Sequence, residues 1–154
     1  MAEYRVEHLA SQPLGGGLSA DDPLSGRFQP PVRVTDVQRG EQAQILNDFV
    51  DSILVDPNAN VIVLGDFNDF HFSDALTTLK GDVLENLSDT LPAEERYTFI
   101  FDGNSQTLDH ILLSKQLVSE FPHEYDIVHM NSEYAVQAGD HEPAVTRINL
   151  IGAP

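Results

Sequence analysis

Val61-Ile62-Val63-Leu64-Gly65-Asp66-Phe67-Asn68-Asp69-Phe70 is the stretch on which the reading of this chain turns. Four consecutive apolar residues, mostly β-branched, predict a strand buried on both faces, and the run stops at Gly65 with polar side chains directly behind it. Side chains alternate along a strand, so Asp66 and Asn68 are expected to point the same way while Phe67 turns back into the core. A carboxylate and an amide would then stand side by side at the mouth of a sheet, where layered α/β proteins often bind ligands.

The totals set the frame for that strand. A chain of 154 residues with 41% hydrophobic content is long enough for one domain with a real core. Eight Lys plus Arg against 25 Asp plus Glu leave a formal net charge of −17, which repels nucleic acid unless cations intervene. On charge alone, a solvated acidic surface that keeps the protein soluble explains as much. Cysteine is absent, which excludes a disulfide framework, a thiol nucleophile and Cys-ligated zinc. No apolar run approaches the length of a membrane span, and Met1-Ala2-Glu3-Tyr4-Arg5 lacks the basic-then-apolar pattern of a signal peptide.

Upstream of the deciding strand, Tyr4 to Leu9 alternates loosely and predicts a strand ending near His8. Residues 11–31 are rich in Gly and Pro, including Gly15 to Gly17, and predict a long loop; such loops are usually functional or disordered. From Asp36 onward Ile45, Leu46, Phe49, Val50, Ile53 and Leu54 recur at helical spacing, with Thr35 or Asp36 as N-cap and Asp56-Pro57 as the stop.

Downstream, Ser73 to Gly81 has a capping residue at one end and a terminal glycine at the other, so a short helix is expected. A helical turn is expected within Leu84 to Leu91. Tyr97 to Phe101 and Thr107 to Leu113 flank the turn Asp102-Gly103-Asn104-Ser105 and predict an antiparallel hairpin. Tyr125 to Met130 and Ala144 to Leu150 predict two more strands, joined by a polar loop. The chain thus divides into 1–35, a strand plus long loop, and 36–154, a helix and strand core, within one α+β domain of layered α/β character.

Polar residues gather at the predicted strand ends: His8, Asp66 with Asn68, Asp109, and Asp140 with His141. Singly, each has a plain explanation as a surface histidine or a turn-capping aspartate. Asp109 and His110, however, are flanked by Leu108 and Ile111 to Leu113, so one of them faces the interior, where a charge is costly unless paired. His141 is a natural partner for Asp109, since an Asp–His pair orients the imidazole and stabilises its protonated form. Asp140 and Asp66 offer the hard oxygen ligands that Mg²⁺ prefers. His110 is expected to point away from Asp109, and His71, His123 and His129 are expected at loop or strand surfaces because their spacing fits no zinc pattern.

Gly65-Asp66-Phe67-Asn68, Thr107-Leu108-Asp109-His110-Ile111 and Gly139-Asp140-His141-Glu142-Pro143, in that order, resemble the C-terminal motifs of the endonuclease/exonuclease/phosphatase superfamily with its deoxyribonuclease-I-like fold. Gly26-Arg27-Phe28-Gln29-Pro30-Pro31 and the segment from Tyr97 to Asp109 further resemble its large secreted bacterial nucleases. The resemblance implies a β-sandwich flanked by helices, of which this chain carries the C-terminal half. It implies phosphodiester hydrolysis with Mg²⁺, or Mn²⁺ or Ca²⁺, and nucleic acid as substrate. Asp66 is implied to activate or orient the attacking water or the leaving group beside the metal, Asn68 to hold the scissile phosphate, Asp109 and His141 to form the Asp–His pair, and Asp140 to sit near the metal. His8 matches a histidine at the end of an earlier strand.

The superfamily's first half supplies an asparagine and a metal-binding glutamate with no counterpart before His8. Weak or absent activity of the chain alone is therefore expected, with an exposed apolar sheet face covered by a second copy. A secreted or periplasmic full-length parent is expected. Phosphatase or phospholipase activity is the neighbouring alternative, because specificity lies in loops, and a non-catalytic binding module is the alternative from another class.

Overall fold

The computed structural model describes residues 5–8 as backbone, together with 35–101 and 103–150. The predicted loop over residues 11–31, including Gly15 to Gly17 and Phe28, lies outside these residues, as do Asp102 and the side chain of His8.

The deciding stretch forms β2 (Val61–Asp66), which pairs in parallel with β1 (Arg5–His8). On its other side it pairs antiparallel with β6 (Asp109–Ser114), which in turn pairs with β3 (Leu84–Asn86). The sheet order is therefore β1-β2-β6-β3, with β2 and β6 in the centre. Two-residue periodicity sends alternate side chains of these central strands to opposite faces.

Toward one face go Val61, Val63 and Leu112, which pack on Ala43, Leu46 and Val50 of α1 (Asp36–Leu54) and on Leu76 and Leu79 of α2 (Asp74–Lys80). Toward the other go Ile62, Leu64, Ile111 and Leu113. These meet Leu117 of α3 (Lys115–Glu120), Phe121, and Tyr125 and Ile148 of the antiparallel pair β7 (His123–Ile127) and β8 (Ala144–Ile148). The result is α1 and α2 on one side of the sheet, and α3 with a second, small sheet on the other. Val63, Leu112 and Leu113 are fully buried, and removing such side chains from water stabilises the fold by roughly 1.5–3 kcal/mol each. Among the described residues, no helix is long and apolar enough to cross a membrane.

Several expectations need correction. Residues 97–101 do not pair with β6: β4 (Phe99–Phe101) pairs with β5 (Asn104–Gln106) as a separate two-stranded unit. The reason is burial, since β6 is buried at five of its six positions and needs strands on both edges, whereas β4 is half-buried or exposed. Leu84 to Leu91 opens as strand β3 before a 3₁₀ turn at Leu87–Thr90. α3 occupies Lys115–Glu120, a stretch in which the sequence pattern predicts no element.

In α1 the buried stripe is narrower than its sequence pattern, with Ile45 70% and Phe49 40% exposed. The apolar face expected to lie bare is not found on β2 or β6, whose faces both carry packed clusters.

The helix α2 follows its capping signals: Ser73 Oγ accepts the N–H of Leu76 at 3.2 Å, and Gly81 ends the helix at φ +47°. A Cβ on Gly81 would also lie 2.7 Å from Asn47 Nδ2, an amide that donates to the Leu79 carbonyl and ties α1 to α2. Gly81→Ala is expected to destabilise the fold by about 1–3 kcal/mol, read as a lower urea midpoint with unchanged slope; an unchanged midpoint would show that the junction relaxes freely.

Candidate active site

β2 ends at Asp66, and the chain turns there through Asn68 in the left-handed conformation, φ +49°. That conformation is costly for most side chains but accessible to asparagine. The turn folds Asn68 back onto the aspartate: its backbone N–H donates to Asp66 Oδ1 at 2.8 Å and its Nδ2 to Oδ2 at 3.0 Å. The two side chains stand together, as expected, through this local turn rather than through strand alternation. Phe67 goes into the helix-side core.

In the antiparallel ladder Asp66 lies directly opposite Asp109. Asp66 shares its face with Ile62 and Leu64, and Asp109 shares its face with Ile111 and Leu113, so both carboxylates sit at the mouth of the space between the two sheets. Into this mouth the connection between β7 and β8 brings His141, whose Nδ1–H donates to Asp109 Oδ2 at 2.6 Å. Ligand atoms of Asp66, Asp109 and His141 all lie within 4.8 Å of one another.

Asp140 is exposed and stands outside this tight trio, yet its charge is felt by both Asp66 and His141. The backbone of His8 ends β1 beside Leu64, two residues short of Asp66. His110 faces the helix side, opposite to Asp109.

Electrostatics follow from this crowding. Burial pushes the Asp66 carboxyl up; the Asn68 N–H and His141 pull it back, while Asp109 and Asp140 push it further up. Burial by itself would lower the His141 imidazole, but its hydrogen bond to Asp109 and the charges of Asp109, Asp66 and Asp140 outweigh that and raise it. A site with two apposed carboxylates, one of them reluctant to ionise, and a third nearby suits a hard divalent cation by the chemistry of its donors. Asp66 and Asp109 are placed to hold one, with Asp140 at the edge.

The side chains that fix this geometry were mostly invisible in the sequence. His110 is fully buried; its Nε2–H donates to the Asp69 carbonyl at 2.9 Å and its Nδ1 accepts from Asn86 Nδ2 at 3.0 Å, while burial holds its pKa low, so it is a neutral anchor for the turn after Asp66. Asp69, also buried, accepts from Arg39 Nε of α1 at 3.0 Å. Thr98, with no exposed surface, accepts the N–H groups of Leu108 and Asp109 on its Oγ1 at 3.0 and 3.1 Å. Only the apolar flanks of His110 signalled burial. Nothing local marked the bonds of Thr98 to Leu108 and of Asp69 to Arg39, which join residues 10 and 30 apart.

A raised imidazole makes a signed prediction. The stabilisation His141 draws from Asp109 is complete below its unfolded pKa of about 6.5 and is lost as pH rises through the higher folded value. Titration of the His141 ring by NMR is expected to give a midpoint above that of a free histidine, and Asp109→Asn is expected to move it down. A midpoint unmoved by the substitution would contradict the pairing.

The sequence profile of the endonuclease/exonuclease/phosphatase family matches residues 4–141. A search of curated protein sequences gives no match. Among solved structures, an endonuclease/exonuclease/phosphatase family protein from Bacteroides thetaiotaomicron is similar, with 21% identity and a TM-score of 0.55, over 79% of this chain and 47% of that one. The mannosyl-6-phosphatase of Bacteroides thetaiotaomicron VPI-5482 is similar with 21% identity and a TM-score of 0.56, over 75% of this chain and 47% of that one. The human Nocturnin catalytic domain with bound sulfate is similar with 18% identity and a TM-score of 0.55, over 77% and 44% of the two chains. The chain thus spans about half the length of the solved proteins it matches. Its two-layered fold is theirs in part, and the profile match over most of its length means that the chain belongs to the endonuclease/exonuclease/phosphatase family.

Proposed function

We propose that this chain carries the Asp–His half of a metal-dependent phosphodiesterase site, and that the complete enzyme is a nuclease. The observation that carries the reading is the Asp109–His141 hydrogen bond of 2.6 Å set beside Asp66, itself locked by Asn68. With Nδ1 engaged by Asp109, the protonated ring of His141 can donate from Nε2 to a phosphoryl oxygen and offset charge that develops there. Asn68 Nδ2 has a second hydrogen with which to do the same from the other side. Asp66, whose proton affinity is raised, is suited to accept a proton from an attacking water, or to orient that water, at its carboxylate. A divalent cation, with Mg²⁺ the best match to all-oxygen donors, would supply further charge neutralisation of the phosphate.

The net charge of −17 argues that a polyanionic substrate is met through cations rather than through a basic surface. The second reading is a phosphomonoesterase, favoured by the likeness to the mannosyl-6-phosphatase.

Supercoiled plasmid DNA, bis(p-nitrophenyl) phosphate and p-nitrophenyl phosphate, each with Mg²⁺, with Mn²⁺ or with EDTA, separate the readings. Because the chain carries only part of the site, at most weak cleavage of plasmid and diester is expected; whatever there is needs the metal and falls by about 10²–10⁴-fold in Asp66→Ala and in His141→Ala. Turnover of the monoester alone would select the second reading. Turnover indifferent to both substitutions would remove these residues from the site, and no turnover together with no binding of Mg²⁺ or Mn²⁺ would favour a binding module.

A further inference from the structure

His141 sits in a connection between β7 and β8 that belongs to no helix or strand, yet it must meet Asp109 across the gap between two sheets. Something has to hold that connection still. The next residue, Glu142, is 3% exposed, a rare place for a carboxylate. Its Oε2 accepts the backbone N–H groups of Met130 at 2.8 Å and Asn131 at 3.0 Å. Its Oε1 accepts the N–H of Ser132 at 2.6 Å and the Ser132 hydroxyl as well. Three successive amides and a hydroxyl therefore replace its water shell. Such charge-assisted bonds are about twice as strong as neutral ones.

The same short segment reaches the reactive histidine directly, because Asn131 Nδ2 donates to the His141 carbonyl at 2.6 Å. Asn131 is itself buried, and its Oδ1 accepts the Ala138 N–H at 3.2 Å, closing residues 131–138 into a compact loop. The backbone of Glu142 extends the chain of contacts in the other direction. Its N–H donates to the Thr98 carbonyl at 2.7 Å, and Thr98 Oγ1 holds the N–H of Asp109 at 3.1 Å. Glu142 is thus one residue from His141 and, through Thr98, two hydrogen bonds from Asp109.

We propose that Glu142 is a positioning residue for the Asp109–His141 pair: its buried carboxylate clamps residues 130–132 against the strand connection, and its backbone fastens that connection to the Thr98 carbonyl, so that the imidazole is delivered to Asp109. The role rests on the reading of Asp109 and His141 as the working pair, and it adds to that reading a group that touches no substrate. Replacing the carboxylate by an amide of equal size turns one of its acceptor atoms into a donor facing backbone N–H groups, which breaks the clamp without leaving a cavity.

The test uses the imidazole proton shared by His141 Nδ1 and Asp109 as its spectroscopic signature, with the buried His110 Nε2–H bond to Asp69 as an internal control on the same sheet. In Glu142→Gln the His141 proton resonance is expected to vanish or to exchange with water about ten- to a hundredfold faster. The amides of Met130, Asn131 and Ser132 should lose protection to a similar degree, while the His110 signal stays. Should Glu142→Gln fail to fold, Ser132→Ala, which removes a single donor from the clamp, is expected to give a smaller shift of the same pattern. A His141 proton unchanged while residues 130–132 lose protection would reduce Glu142 to a loop clamp and overturn the proposal. Absence of the His141–Asp109 proton in the unsubstituted chain would overturn the paired-site reading itself, and this role with it.

Discussion

Two carboxylates placed opposite one another in an antiparallel ladder, Asp66 and Asp109, are the constraint around which the molecule is arranged. Like charges directly across a ladder are destabilising, so this pairing persists only if positive character is brought to it. The chain brings it from two directions. The turn after β2 wraps the backbone and side-chain amides of Asn68 onto Asp66, and the β7–β8 connection brings a protonation-prone His141 onto Asp109. Burial, with what remains of the repulsion, raises the Asp66 carboxyl, and the apposed carboxylates suit the place to a cation.

Alternation along β2 and β6 divides the work between the faces of the sheet. Asp66 and Asp109 look toward the second sheet, where His141 meets them. Gly65 and His110, one step along the same strands, look toward the helices, where His110 and the Arg39–Asp69 ion pair hold the turn that presents Asp66 and Asn68. Gly65 has φ +152°, a value open mainly to glycine, at the position facing His110. Buried polar anchors of this kind are costly unless every hydrogen bond is made, and both ring nitrogens of His110 have a partner. The loop ends that carry the candidate site are thereby tied to a rigid core while its polar groups stay reachable.

The second sheet is small, and its own strands contribute no side chain to the trio. Its contribution is to carry the connection on which His141 rides, and that connection is held by polar contacts rather than by an apolar core. Glu142, held down to about 2 by the backbone amides and hydroxyl around it despite its burial, stays ionised across the whole working range. Its ionised state stabilises the fold above the ordinary carboxylate pKa, and that stabilisation fades only as pH falls toward 2.

What could be read from the residues alone follows from locality. The buried strand β2, the capped helix α2, the helix α1 and the family motifs at Asp66, Asn68, Asp109 and His141 are written in short-range patterns of apolar spacing, capping and motif order, and these are one-dimensional properties. Strand partnership is not. Residues 97–101 and 107–113 look like a hairpin because a glycine turn separates them, but β6 has too much apolar surface to sit at an edge and takes β2 and β3 instead. Asp69, Thr98, His110 and Glu142 acquire their roles from partners distant in sequence, and among them only His110 has apolar neighbours that announce its burial. Short-range patterns thus name the groups available for phosphate chemistry, while which of them meet follows from the ladder register and from burial on both faces of β6, properties of the packed sheet that no short segment carries.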